Sequence, residues 1–405
     1  MRAAVEPGAQ PSVTAGARPN SGFDYHIIVG QSSHAGGMCA HMSLLADGLA
    51  DQSQPVHVWL PNATELSVRS PNVQLHRVLG ALSIPDFFRA GRNLNRCSPP
   101  RRLLVYWVPH AYGYKAMNLP FCLWIWLRSV FHKDRVELMV QECFLDFSRR
   151  SWRQSAAAFV HRVMTVVLLN AADQVWGALP AYKALLRPYT LGRRVPFAWL
   201  PVPSNVAVVE NPPLVAAIRK QCAAGGLLIG HFGTFGGSIT NLLEDIVPGM
   251  LANLDASLLL IGSGSEAFRD RLRELVPKFA GRIHASGYLE DSTLSSYLNA
   301  CDVMIQPYPD GVTARRGSIL APLAHARPVV TNPSPRTEPL WEKTGSVVLA
   351  DMTAAAFLHS VQQLKEDPRS RDRLGAAARE TYLRYFEPGR MVSAIQNPPE
   401  DACAF

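Results

Sequence analysis

The chain has 405 residues, 48% of them hydrophobic and 18% charged, which suits two ordinary globular domains and excludes a disordered protein. Its formal net charge of +8 fits an anionic ligand or surface. The seven cysteines are scattered, with no CxxC pair and no Cys/His ligand spacing, so a reducing compartment is expected and a structural zinc is not.

Residues 1–22 are rich in Ala, Pro, Gly and Ser and lack the apolar core of a signal peptide. They read as a disordered leader. The first domain, 23–203, opens with a buried strand over Tyr25–Val29. The loop Gly30–Gly37, an amphipathic helix over Met38–Ala50 and a strand over Val56–Leu60 make a βαβ start. Gly36 and Gly37, just before that helix, allow close backbone approach to a ligand on the acceptor side. A plain tight turn is the alternative. No GxGxxG follows the strand, which disfavours a nicotinamide dehydrogenase.

Further strands are expected over Leu103–Val108 and Val136–Val140, with a long helix over Arg153–Ala172. The apolar run Leu119–Val130 is interrupted by Arg128 and falls short of the roughly 20 residues a bilayer needs. A strand over Gln174–Trp176 and a short helix over Ala181–Leu186 complete the domain. Pro196–Pro203 reads as an extended interdomain crossover, because its prolines forbid helix.

The second domain, 204–385, restarts with a buried strand over Leu227–Phe232 that ends in Gly-Thr-Phe-Gly-Gly. Next, Leu258–Ile261 runs into Gly-Ser-Gly-Ser, and a short strand leads to Gly287-Tyr288-Leu289. A helix ends at Cys301-Asp302, and the strand Val303–Gln306 opens into a loop with Thr313, Arg315, Arg316 and Ser318 before a small-residue helix. Such alternation builds a parallel α/β sheet with ligands at the strand C-termini. Two helices follow, and a return helix and tail occupy 386–405, with Met391–Ile395 placed to dock on the first domain. No repeat and no nucleic-acid-binding motif is present, so nucleic acid is not an expected partner.

Four pieces stand in order: Ile261-Gly262-Ser263-Gly264, Gly287-Tyr288-Leu289-Glu290, Ala300-Cys301-Asp302-Val303 and Ala326-Arg327-Pro328-Val329-Val330. Together they resemble the nucleotide-sugar domain of GT-B glycosyltransferases, the family-4-like "glycosyltransferase group 1" enzymes, in a divergent bacterial subgroup. The resemblance implies an α/β fold of two Rossmann-like, doubly wound parallel-sheet domains facing a cleft. It implies a nucleotide-sugar donor held by the second domain and a glycan or lipid-linked acceptor held by the first. It also implies hexosyl transfer with retention, in bacterial polysaccharide or glycolipid assembly. A GT-B sugar-nucleotide epimerase and a catalytically silent nucleotide-sugar-binding protein are the alternatives. A cytoplasmic protein, peripheral at the inner face of the plasma membrane, is expected.

A departing nucleoside diphosphate develops negative charge that cations and backbone N–H groups can stabilise. The chain has no Asp-x-Asp motif, which agrees with metal-independent catalysis without a cofactor. Arg315 and Arg316 are the phosphate candidates, since a planar guanidinium holds two oxygens at once. Isolated, such a pair is an ordinary solvated surface feature; here it sits beside Thr313 and Ser318. Where the family carries two glutamates, this chain has Thr313 and Ala321, and the lysine usual after the Gly-rich loop is missing. In this reading the arginines take over the phosphate role. Gly233, Thr234, Gly236 and Gly237 follow the first strand and offer backbone to the pyrophosphate. Gly262 and Ser263 sit at the next strand end, and Tyr288 and Leu289 match the position that frames the base.

In the first domain His110 ends a strand at the cleft, and Glu142 ends the following one. Glu142 is the candidate to accept the acceptor's proton. A structural histidine and a loop-capping carboxylate are the plain alternatives. From Tyr112 to Arg153 the chain is rich in aromatic and cationic residues, which suits an anionic lipid interface or ordinary helix packing.

Overall fold

The computed structural model describes residues 24–31, 37–51, 55–113, 116–223 and 225–398. The expected leader and Gly36 lie outside them.

The first sheet has seven parallel strands: β1 (Asp24–Ile28), β2 (Val56–Trp59), β3 (Val73–His76), β4 (Arg101–Trp107), β5 (Arg135–Val140), β6 (Gln174–Gly177) and β7 (Phe197–Trp199). Their order is β3-β2-β1-β4-β5-β6-β7. The second has six: β8 (Leu227–Phe232), β9 (Ala256–Ile261), β10 (Ile283–Ala285), β11 (Val303–Gln306), β12 (Val329–Thr331) and β13 (Val348–Leu349), in the order β10-β9-β8-β11-β12-β13. Both are doubly wound, as expected. Chain order reverses between β1 and β4 in the first sheet and between β8 and β11 in the second. Crevices at such reversals, beyond the strand C-termini, are where open α/β sheets bind ligands.

Helices cover both faces, so the central strands are buried and mostly apolar; β4 is buried along its whole length, its two arginines included. On one face of the first sheet lie α2 (Ile84–Leu94), α3 (Leu119–Phe131) and α4 (Trp152–Ala171). Their inner residues Phe87, Phe121, Ile125, Met164 and Leu168 are buried against Ile28, Val105 and Trp107. Each fully buried side chain of this size contributes about 1.5–3 kcal/mol. Asn118 caps α3 by accepting the Phe121 N–H, and Ser151 caps α4 by accepting that of Gln154. The other face holds α1 (Gly37–Ala50). In the second domain α7 (Gly237–Asn253), α8 (Ser265–Leu275) and α12 (Ala354–Glu366) cover one face of the sheet.

The crossover differs from expectation. Phe197–Trp199 is an edge strand that pairs with β6, so the connection begins only after it. Proline is tolerated at the start of an edge strand, which is how a Pro-flanked segment enters the sheet. The chain then forms α6 (Pro212–Cys222), capped by Asn211.

The last helix, α14 (Pro388–Gln396), returns to the first domain. Met391, Val392 and Ile395 are buried in the same cluster as Met42, Leu45 and Leu49 of α1. Gly48 permits the approach, since a Cβ there would lie 2.5 Å from Val392 Cγ2. Arg102 on β4 pairs with buried Glu137 and donates to the Ile395 carbonyl. Before this helix, Phe386 stacks on Trp341 of the second domain at 5.8 Å and meets Trp199 of the first edge-on at 6.2 Å. Among the described residues no helix is long and apolar enough to cross a membrane.

Candidate functional site

The expected residues that the structure describes lie at the C-terminal ends of strands of both sheets. After β4 a short 3-10 turn, Pro109–Ala111, carries His110, whose side chain is 54% exposed. After β5, Gln141 is held by its N–H to the Trp107 carbonyl at 3.0 Å, which leaves Glu142 at the strand end, 41% exposed. His110 Nε2 lies 3.9 Å from a Glu142 carboxylate oxygen. His161 on α4 stands edge-on to the His110 ring at 6.0 Å. Its Nδ1 accepts from the Leu145 N–H, so its Nε2 donates to the Ala116 carbonyl at 2.8 Å. Burial lowers its pKa and keeps it neutral.

On the opposite side, the loop after β11 leads into α10 (Gly317–Ala324). Arg315 reaches across the cleft: it donates to Glu142 at 3.0 Å and to the Gln141 carbonyl at 3.3 Å. Tyr182, on the short helix α5 (Tyr182–Leu186), donates to that same carbonyl at 3.0 Å. Cys143 beside it has its thiol pushed up to about 12 by burial, so it is not a nucleophile here.

Arg316 is the N-cap residue of α10. It pairs with Asp310 and lies over the Tyr308 ring at 4.2 Å. Among the described residues its buried Nε has no partner. The Tyr308 hydroxyl meets Ser318 Oγ at 2.8 Å, which fixes the first turn of α10. Thr313 is buried, and its carbonyl accepts the Arg316 N–H at 3.2 Å. Thr313 thus shapes the loop through its backbone.

The glycines complete the floor. A Cβ on Gly233 would sit 3.8 Å from Ser318 Cβ, which places the loop after β8 beside the start of α10. Gly262 has φ +120°, and a Cβ there would lie 2.3 Å from the Gly233 carbonyl oxygen, so only glycine lets these two strand ends meet. Gly236 caps α7 and Gly237 opens it, with open space above both; Thr234 stands before them. Ser263 follows Gly262 and precedes Gly264, which caps α8. Tyr288 is 80% exposed, so it is not a core aromatic, while Leu289 packs partly inward. Gly37 begins α1 with open space around it.

Two features escaped sequence reasoning. Glu338 is buried and accepts the Ala314 N–H through both oxygens, at 3.0 and 3.2 Å, and the Trp341 indole N–H at 2.8 Å. It pins the residue just before the arginine pair from the next loop, and no spacing in the chain announces that contact. The second is a cluster of His26, His57 and Cys97, far from one another in sequence, whose ligand atoms lie within 4.8 Å of one another.

Residues 227–367 match the family model described as "Glycosyl transferases group 1". The structure is similar to a glycosyltransferase from Rickettsia africae, with TM-score 0.66, 12% identity, 93% of this chain and 97% of that one. Sucrose-phosphate synthase from Thermosynechococcus elongatus superposes with TM-score 0.64 at 19% identity, over 92% of this chain and 97% of that one. The HepE protein of Anabaena, solved with UDP-glucose, gives TM-score 0.62 at 15% identity, over 92% and 98%. No curated protein sequence matches the chain. The chain has the GT-B fold, and the resemblance read from its second-domain motifs is borne out.

Proposed function

We propose that this GT-B chain, whose second domain carries the group 1 glycosyl transferase signature, is a metal-independent glycosyltransferase. It moves a sugar, in hexosyl transfer with retention, from a nucleoside-diphosphate donor to a glycan or lipid-linked acceptor, in bacterial polysaccharide or glycolipid assembly. The observation that carries this reading is the meeting of Arg315 with Glu142 across the cleft, at the C-terminal ends of strands from both domains. A cation from the donor side and a carboxylate from the acceptor side are the groups this chemistry uses.

Arg315 is 34% exposed, so a diphosphate entering between the domains competes with Glu142 for it. Arg316 is oriented by Tyr308 and Asp310 and adds a second cation at the start of α10, where backbone N–H groups also face an anion. Once Arg315 turns to the phosphates, Glu142 is free to accept a hydrogen bond from the acceptor hydroxyl, with His110 beside it. UDP-, GDP- and ADP-sugars are the donors to screen, by thermal shift and then by turnover. Sugar transfer to an acceptor supports the reading. Isomerisation of the sugar nucleotide without acceptor makes the protein an epimerase, and binding with neither reaction makes it a silent binder.

The acceptor side is peripheral to a membrane in this proposal. Phe88 on α2, Leu123, Leu127 and Phe131 on α3, and Trp152 and Phe159 on α4 are all exposed, and Arg149, Arg150 and Arg153 flank Trp152 in the chain. Apolar side chains flanked by cations match an anionic bilayer, at about 1 kcal/mol for each cation near the surface. Co-sedimentation with phosphatidylserine-containing vesicles is expected to weaken as salt rises. If the protein stays in the supernatant at low salt, a soluble acceptor is the better reading.

A further inference from the structure

We propose that His26, His57 and Cys97 form a zinc site at the edge of the first sheet, separate from the cleft. His26 and His57 are register partners on neighbouring strands, and their rings stack at 4.9 Å on the sheet face covered by α2. Cys97 follows the end of α2 and precedes β4, so the chain delivers its thiol to the N-terminal edge of the sheet. The cleft lies at the opposite edge. Two imidazoles and a thiol with ligand atoms within 4.8 Å of one another are a donor set of the kind zinc takes, with a fourth position open to water.

Among the described residues, the hydrogen bonds around the cluster leave one ring nitrogen of each of these two histidines free of protein acceptors or donors. His57 Nδ1 meets His76 Nε2 at 2.9 Å. With the proton on His57 Nδ1, its Nε2 keeps a lone pair, and His76 orients the ring as an outer partner does in zinc sites. His26 is fully buried, and its Nδ1 accepts the Trp59 indole N–H at 3.2 Å. Its Nε2 therefore carries the proton, and among the described residues that N–H has no acceptor. A buried donor left unpaired costs about 1–3 kcal/mol.

Loading balances as follows. The Cys97 thiol loses its proton to solvent and its sulfur binds the ion. The His26 proton moves from Nε2 to Nδ1, and Nε2 takes the ion in its place. The His26 Nδ1–H and the Trp59 indole N–H are then two donors facing one another, so the Trp59 ring, stacked on His76 at 4.2 Å, must swing away to free both. Arg101 and Arg128 are the cations nearest the cluster, and both are paired with Asp134. The Asp24 carboxylate, whose field reaches both Cys97 and His57, and the new thiolate offset the added charge.

The test uses the full chain, stripped with chelator and titrated with Co2+, which reports thiolate ligation by colour. Expected are saturation at a single ion per chain, a near-ultraviolet sulfur-to-cobalt band that Zn2+ bleaches, and loss of that band in Cys97→Ser and His57→Gln. No such band, or an undiminished band in folded Cys97→Ser, overturns the proposal. Should the variants fail to fold, alkylation of the wild-type chain decides by peptide mass spectrometry. Zn2+ is expected to slow labelling of Cys97 at least tenfold, and equal labelling with and without Zn2+ overturns the site.

Discussion

Arg315 holds two acceptors of the other domain at once, so its replacement separates binding from fold. Arg315→Ala is expected to weaken nucleoside-diphosphate affinity about tenfold to a hundredfold, the equivalent of one charge-assisted hydrogen bond of about 1.5–3 kcal/mol. Titration calorimetry reads it, and unchanged affinity removes Arg315 from the donor site. Glu142→Gln keeps the shape and a hydrogen-bonding oxygen but cannot take a proton. Its turnover is expected to fall by about 100-fold or more with donor affinity kept or improved; wild-type turnover would leave Glu142 as a loop-capping carboxylate. Glu338 acts one layer out. Glu338→Ala strands the buried Ala314 and Trp341 N–H groups, so a stability loss of about 1–3 kcal/mol per group is expected in denaturant melts, with the arginine loop loosened.

At the scale of elements, the parallel strands and the motifs at their ends were legible, because a buried βαβ strand is an unbroken apolar run closed by Gly-rich turns. Leu227–Phe232 and Val303–Gln306 fall where the pattern placed them. The missed elements lack that signal. β3 is partly exposed, β7 is a short edge strand beside Pro196, and α2 begins Ile-Pro and contains Gly91. In the site, the place of Gly262 at a strand end was readable, whereas its contact with Gly233, the role of Glu338 and the His26–His57–Cys97 group depend on which strands become neighbours. Gly262→Ala tests the contact with Gly233. Its Cβ would enter the Gly233 carbonyl at a positive φ, and a loss of more than about 2 kcal/mol is expected, from clash and backbone strain together. A melt within experimental error of wild type would mean that the two loops can part freely.

For the whole molecule, acid is the expected weakness. Burial holds the pKa of His26 down at about 3 and those of His41, His231 and His325 at about 4, against 6.5 for a free imidazole. The unfolded chain takes up protons that the folded one refuses, so the stabilisation is complete above pH 6.5 and is lost as pH falls through 4. Buried Glu338 has its pKa raised, so it favours the fold only when protonated, and it opposes this trend as one group against four. The melting temperature should be level near neutral pH and fall steeply from about pH 6.5 to 4; a flat profile across that range contradicts the burial of these rings. Turnover, by contrast, is expected to persist in EDTA over an assay. Loss restored by magnesium or manganese refutes metal-independent transfer, and loss restored only by zinc reports on the cluster behind the first sheet.

The polypeptide passes between its two halves twice, once after Trp199 and again at Phe386, and those two residues touch. Two crossings side by side act like paired leaves on a door: they permit swing about one line and resist sliding and twist. Trp341 and Trp199 grip Phe386 from either half, so that line runs through an aromatic bearing and not through a loose tether. Opening the cleft is then expected to be a swing about that line. Arg315 and Glu142 bridge that cleft, so a swing that opens it parts them.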